Sequence, residues 1–367
     1  MLRLIVGLLC LVALAFLLAE FFIVFLLPRR VDRDPAIARG ILRTLWVPWR
    51  AVANLLPRQA CDTMLGIFGP FGLVAILVLL SAGVIVCFAG LHWAVSTRLG
   101  GPRPAVFGSD LYFSAGAFVS ATNPTTPTAA AGRVLQIWGA ATGLGFLAIA
   151  IGYLPALYQA FSRRETAIAR LDPRAGSPPS AGRLLERTGQ RGGWNELDEY
   201  LLEWETWTAE LMETHLSYPI LGYFRSQHAD QNWLAALTTI VDACAYALAY
   251  GSEEATEGAE LTFRIGRHAL ADLAHTVSPR RLEGDPEPQS RQRLNDEDLA
   301  ALRSRLEGSG LHSEADEQVC AERLEELRAS YEPYAIAMSR HLALDLPDWL
   351  PGDEVREEWR AAAGRRP

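Results

Sequence analysis

The 367-residue chain contains no lysine: all 34 basic residues are arginine, against 42 acids, for a formal net charge of −8. A demand for arginine at particular sites would not empty the rest of the surface of lysine, so this reads as genome base composition. Cysteine is sparse, and Cys10, Cys61, Cys87, Cys244 and Cys320 are odd in number with no C-x-x-C pair. That spacing excludes a disulfide framework and a zinc knuckle. The sequence also lacks H-E-x-x-H, any histidine pair at i, i+4, an alternating strand pattern and a nucleotide-cradling loop. No metal, cofactor or enzymatic activity is expected. There is no basic stripe either, so nucleic acid is not an expected partner. A half-apolar composition excludes a disordered chain and a collagen.

Charge divides the chain. Residues 1–160 carry eleven arginines against five acids, a net of +6, and the remaining residues carry 23 arginines against 37 acids, or −14. Three runs in the basic part, 4–27, 71–95 and 134–161, match the roughly 20 apolar residues needed to cross about 30 Å of hydrocarbon. The first is too long for a signal peptide and ends in Pro28-Arg29-Arg30, so it reads as a retained anchor. Within the third, Gly143-Leu144-Gly145-Phe146-Leu147-Ala148 fits the loose G-x-G-x-x-A fingerprint, but it follows no strand and is not read as a dinucleotide site.

Residues 28–70 carry seven arginines and residues 96–133 carry three, which places 28–70 in the cytoplasm and the amino terminus outside. In that inner segment Ile37, Ile41, Leu42, Leu45, Trp46 and Trp49 interleave with Arg39, Arg43 and Arg50. This pattern suits either a helix in the headgroup plane or one packed under the bundle. Glu20 is a carboxylate inside an apolar run, and it requires a partner, with Arg29, Arg30 or a polar atom on another span as candidates, or a route to the interface.

Between the second and third runs come a Gly/Pro-rich turret at 100–104 and a short helix-like piece at 109–120, with Ser109 or Asp110 placed to cap it. The helix-incompatible Ala121-Thr122-Asn123-Pro124-Thr125-Thr126-Pro127 follows. Span, short helix, irregular polar segment and span make a re-entrant pattern. This order, with Asp110-Leu111-Tyr112-Phe113-Ser114 and the glycine-rich run ending Ile151-Gly152-Tyr153-Leu154-Pro155, resembles the pore module of the two-transmembrane potassium channel family. The leading span and the long tail resemble bacterial members of it. The resemblance implies an all-α membrane protein of the bacterial cytoplasmic membrane, with three transmembrane helices, a re-entrant pore helix and loop, and a helical cytoplasmic domain. Its parts would be an anchor (1–30), an interfacial linker (31–70), a pore module (71–161) and the cytoplasmic domain (162–367). Within the module lie an outer helix (71–95), a pore helix (109–120), a filter-like loop (120–127) and an inner helix (134–161). Four copies would surround one axis in membrane lipid and pass K⁺ or Na⁺.

The filter departs from the family. Ser120, Ala121, Thr122, Asn123, Pro124 and Thr125 occupy the ion-pathway position, and Thr122 and Pro124 stand where the family has glycines. Proline cannot reach positive φ, so the usual stack of carbonyl rings is not expected, and K⁺ selectivity is altered or lost. The alternative is a non-conducting receptor or scaffold that retains the architecture. Gly139 and Gly143 form a small-xxx-small pair suited to close helix packing; Gly143, Gly145 and Pro155 are the candidate gating hinges.

The acidic half reads as helical. Residues 194–216 are amphipathic, and 233–250 approach span length, but Asp242 within them favours a buried soluble helix. Two linkers are expected, at 172–182 and 279–292. The half is read as an assembly or gating domain.

Overall fold

A computed structural model describes residues 1–26, 36–95, 106–121, 127–227, 230–251, 256–277, 293–313 and 315–350. Among these, every regular element is a helix and the chain divides into two compact units, Met1–Tyr158 and Gln159–Pro367. Among the described residues, four helices are long and apolar enough to cross a membrane: α1 (Leu2–Phe25), α3 (Arg58–Ala94), α5 (Ala130–Ala175) and α7 (Trp233–Tyr250).

In the first unit α1, α2 (Ala36–Ala53) and α4 (Phe107–Phe118) all pack on α3. At 1.5 Å per residue α3 is about 55 Å long. It starts thirteen residues before the apolar run that was its sequence signal. Ala38, Leu42 and Trp46 make a buried stripe on α2 at four-residue spacing. Trp46 and Trp49 meet Phe68 at 4.7 and 5.8 Å, Trp49 stacks on Phe71 at 4.7 Å, and its indole N–H donates to the Met64 carbonyl at 2.9 Å. Trp46 and Trp49 of α2 therefore pack against α3. Phe146 of α5 stacks on Phe21 of α1 at 3.6 Å, and Tyr153 meets Phe25 at 4.8 Å.

Helix α4 begins earlier than expected. The Val106 carbonyl accepts from Ser109 and Asp110 N–H, so both residues fall inside the first turn and neither side chain caps the helix. Helix α5 passes through Pro155 without ending and continues to Ala175.

In the second unit α7 forms the centre, with α6 (Ala181–Ser217), α8 (Glu257–Val277), α10 (Glu317–Ala329) and α11 (Glu332–Leu342) around it and α9 (Asp296–Glu307) against α6. Its most apolar window is 89% buried, against 17 to 39% for α1, α3 and α5. The core of this unit thus accounts for the hydrophobicity of α7. Local chemistry sets the helix starts: Ser180, Asn232, Asn295 and Asp316 accept from N–H groups of the first turns of α6, α7, α9 and α10. Asp198 of α6 does the same for α8, accepting from Gly258 and Ala259 N–H at 3.0 and 2.7 Å.

The stretch 172–182 is not a linker. It holds the end of α5, a buried turn and the start of α6. Gly176 takes φ 85°, Ser177 donates to Asp172 at 2.5 Å and accepts from Gln231 at 2.7 Å, and Ser180 is the cap. Its glycine, proline and serine content serves turn geometry. The linker expected at 279–292 lies outside the described residues.

Candidate functional site

Helix α4 is short, buried on one face and set between two long apolar helices. Asp110, Phe113, Ser114, Ala117 and Phe118 are its buried residues, at helical spacing. Beyond it the chain closes in a Schellman arrangement, with Ser120 N–H on the Ala117 carbonyl at 3.0 Å and Ala121 N–H on the Gly116 carbonyl at 2.8 Å. This geometry needs a left-handed residue, and Ser120 supplies it at φ 57°. Of the filter-like residues, Ser120 and Ala121 are exposed at this turn, while Thr122, Asn123, Pro124 and Thr125 lie outside the described residues.

The carbonyl end of α4 rests on α5. A Cβ added to Gly143 would overlap the Phe118 carbonyl, so only glycine admits this contact. Gly139 meets Ala117 and Phe88 at ordinary distances, and Gly145 and Gly152 have nothing within 4 Å. The four glycines of the span therefore divide into a packed pair and an open pair. His92 of α3 is 1% exposed, with its ring edge-on to Phe113 at 5.2 Å. Asp110 Oδ1 and Ser114 Oγ are buried, without a partner among the described residues.

Glu20 finds its partner on the backbone. One carboxylate oxygen accepts from Ile37 N–H at 2.8 Å and Ala38 N–H at 3.1 Å, which makes Glu20 the anion at the amino end of α2. The positive end of the helix dipole and two otherwise unpaired N–H groups offset the burial of the carboxylate. Arg29 and Arg30, the candidate partners read from the sequence, lie outside the described residues.

Two polar clusters in the second unit escaped the sequence reading. In the first, Arg164 of α5 is 3% exposed. It donates to the Leu221 carbonyl at 3.0 Å, the Phe224 carbonyl at 2.8 Å, Glu165 at 3.0 Å and Nε2 of His215 at 3.2 Å. Nδ1 of His215 lies 2.9 Å from the Leu211 carbonyl, which only accepts, so the proton sits on Nδ1 and Nε2 is the acceptor for Arg164. Burial, with the Arg164 charge adding to it, pushes His215 down to about 3 and keeps the imidazole neutral. The signal was present in the sequence: Arg164 falls on the buried stripe Phe161, Ile168, Leu171 and Ala175, at spacings of three and four.

In the second cluster Asp242 of α7 is fully buried and accepts from Arg293 at 2.5 and 3.1 Å and from the Tyr331 hydroxyl at 2.5 Å. Arg293 also pairs with Glu332 at 3.2 Å and donates to the Pro347 carbonyl at 2.9 Å, while Arg328 pairs with Glu332 at 3.1 Å. Burial opposes the charge on Arg293, but Asp242 outweighs it and holds the guanidinium above its ordinary range. Two cations and two anions balance, and the network ties α7, α11 and the chain after α11 together. The lone acid in an apolar helix announced the need for a cation, but the sequence does not mark which arginine answers it.

No group of three or more metal-ligating side chains gathers among the described residues. Comparison of the chain with protein-family models, curated proteins and solved structures returns no match.

Proposed function

We propose that the chain is the subunit of a potassium-channel-like cation pore in which K⁺ selectivity is altered or lost. The observation that carries this reading is α4. It is a short helix held between two long apolar helices, with its carbonyl end seated on a glycine of the second. This is the arrangement a re-entrant pore requires, because irregular backbone at membrane depth needs protein or water around it. Three spans, α1, α3 and the apolar part of α5, cross the bacterial cytoplasmic membrane, and α7 stays in the soluble core. The distribution of arginines sets the amino terminus outside and the second unit inside.

Four copies surround the axis. The face of α5 that carries Ile137, Trp138, Leu144, Leu147 and Ile151 is exposed in the single chain, and the open Gly145 and Gly152 lie on the same helix. Thr122, Asn123, Pro124 and Thr125 lie outside the described residues; on their sequence alone, a proline at 124 is incompatible with the usual stack of carbonyl rings. The second unit, in which Arg164 holds the Leu221 and Phe224 carbonyls, is read as the domain that gates or assembles the pore.

Subunit counting by native mass spectrometry of the detergent-purified chain tests the assembly. Four chains per particle are expected, and a monomer at all concentrations contradicts the proposal.

A further inference from the structure

Helix α8 runs beside the second half of α6 and parallel to it. Asp198 accepts from the N–H groups of Gly258 and Ala259, Thr262 donates to the Leu201 carbonyl at 2.9 Å, and Gly222, just past α6, meets Val277 at the end of α8. Leu202 and Leu261 stand at one level of this pair, 43 and 40% exposed; with Val319 they are the exposed large hydrophobic residues of the second unit among the described residues. A single exposed leucine is ordinary, but two on neighbouring helices form a patch. Half-buried Ala209 and Ile265 continue the two rows at helical spacing.

The borders of this strip differ in sign. On the side of α6 towards α5, Glu199, Glu203 and Glu210 are exposed, and Glu203 meets Arg170 of α5 at 3.6 Å. On the far side of α8, Arg264 and Arg267 are exposed; Arg264 pairs with Glu260, and Arg267 has no ion-pair partner among the described residues. Between the borders lie Glu205 and the His268–Asp272 pair.

We propose that this face joins two copies of the chain about a two-fold axis running along α6 and α8. Such an axis lays the α6 of each copy over the α8 of the other, so Leu202 meets Leu261 and the glutamate border meets Arg264 and Arg267. An acidic border, an apolar strip and a basic border complement themselves under this rotation. A two-fold axis across the helices would instead set glutamates on glutamates. The contact involves the second unit alone and stands whether or not the protein conducts; in a four-copy assembly it pairs the second units two by two.

The test co-expresses two differently tagged full chains, one with Leu202→Cys and one with Leu261→Cys, and treats the detergent-purified mixture with a short bismaleimide. Leu202→Cys with Val319→Cys, on α10, measures the background from native cysteines. The first pair is expected to give roughly threefold or more covalent heterodimer over that background. Arg267→Glu in both chains is expected to lower the yield by about threefold at low salt, and Glu210→Arg added to it to restore the yield. Equal yields from the two cysteine pairs overturn the proposal. So does a yield that Arg267→Glu leaves unchanged, or a loss that Glu210→Arg does not recover.

Discussion

The carbonyl oxygen of Phe118 occupies the space that a Cβ on Gly143 would need. It is the tightest of the contacts by which α4 meets α5, beside Ala117 on Gly139 and Phe118 on Phe146. Gly143→Ala is expected to force the two helices apart and destabilise the first unit by about 1 to 3 kcal/mol, as overpacking does. Gly145→Ala, two residues away with open space around it, is expected to leave stability within about 0.5 kcal/mol and to gain helix propensity. Thermal unfolding of both variants in one detergent checks the pair. Equal effects would mean that the contact does not determine the packing.

Ser120 holds a left-handed conformation that favours glycine. Ser120→Gly is expected to stabilise the protein by about 1 kcal/mol, and Ser120→Ala, which keeps the Cβ, to give no such gain. The melting temperatures of the two variants decide it.

Most of the fold was legible in the sequence, because apolar length and helical spacing are local signals. Residues 71–94 and 134–161 lie inside α3 and α5, and the burial expected of the helix that carries Asp242 is found in α7. Contacts across long separations were not legible. Glu20 called for a partner, but the backbone N–H groups of Ile37 and Ala38 leave no signature in side-chain identity. Of the span glycines, only three-dimensional placement separates Gly143 from Gly145. Arg164 was hidden in plain view, since an arginine after an apolar run reads as an interface flank unless the buried stripe is followed past it.

His215 gives the second unit a pH dependence of known sign. Its imidazole is neutral when folded, with its proton affinity pushed down to about 3, while an unfolded histidine protonates near pH 6.5. The unfolded state therefore binds more protons between those values. The stability owed to neutral His215 is complete above about pH 6.5 and falls as pH drops, by up to about 1.4 kcal/mol per unit. Glu165, next to Arg164, also faces this cluster, so the comparison is made by difference. His215→Gln keeps an acceptor for Arg164 and removes the titration. In urea unfolding from pH 7 to pH 5, wild type is expected to lose more stability than the variant, and parallel curves would contradict the assignment.

Arg293 neutralises a carboxylate with no access to water. Arg293→Met leaves Asp242 buried with the Tyr331 hydroxyl as its remaining partner and is expected to cost about 3 to 5 kcal/mol. Adding Asp242→Asn removes the stranded charge and recovers a large part of that loss. A double-mutant cycle on chemical unfolding measures the coupling; additive losses would mean that the two side chains act independently.

The pore assignment is tested most directly by ion flux through the purified full chain in liposomes, comparing K⁺, Na⁺ and a large organic cation, with a Thr122→Gly, Pro124→Gly double variant alongside. The account predicts cation flux with weak discrimination in wild type, sharpened towards K⁺ once the two glycines allow backbone carbonyls to face the axis. A folded tetramer that passes none of the three ions would contradict it and leave the non-conducting scaffold as the reading of this architecture.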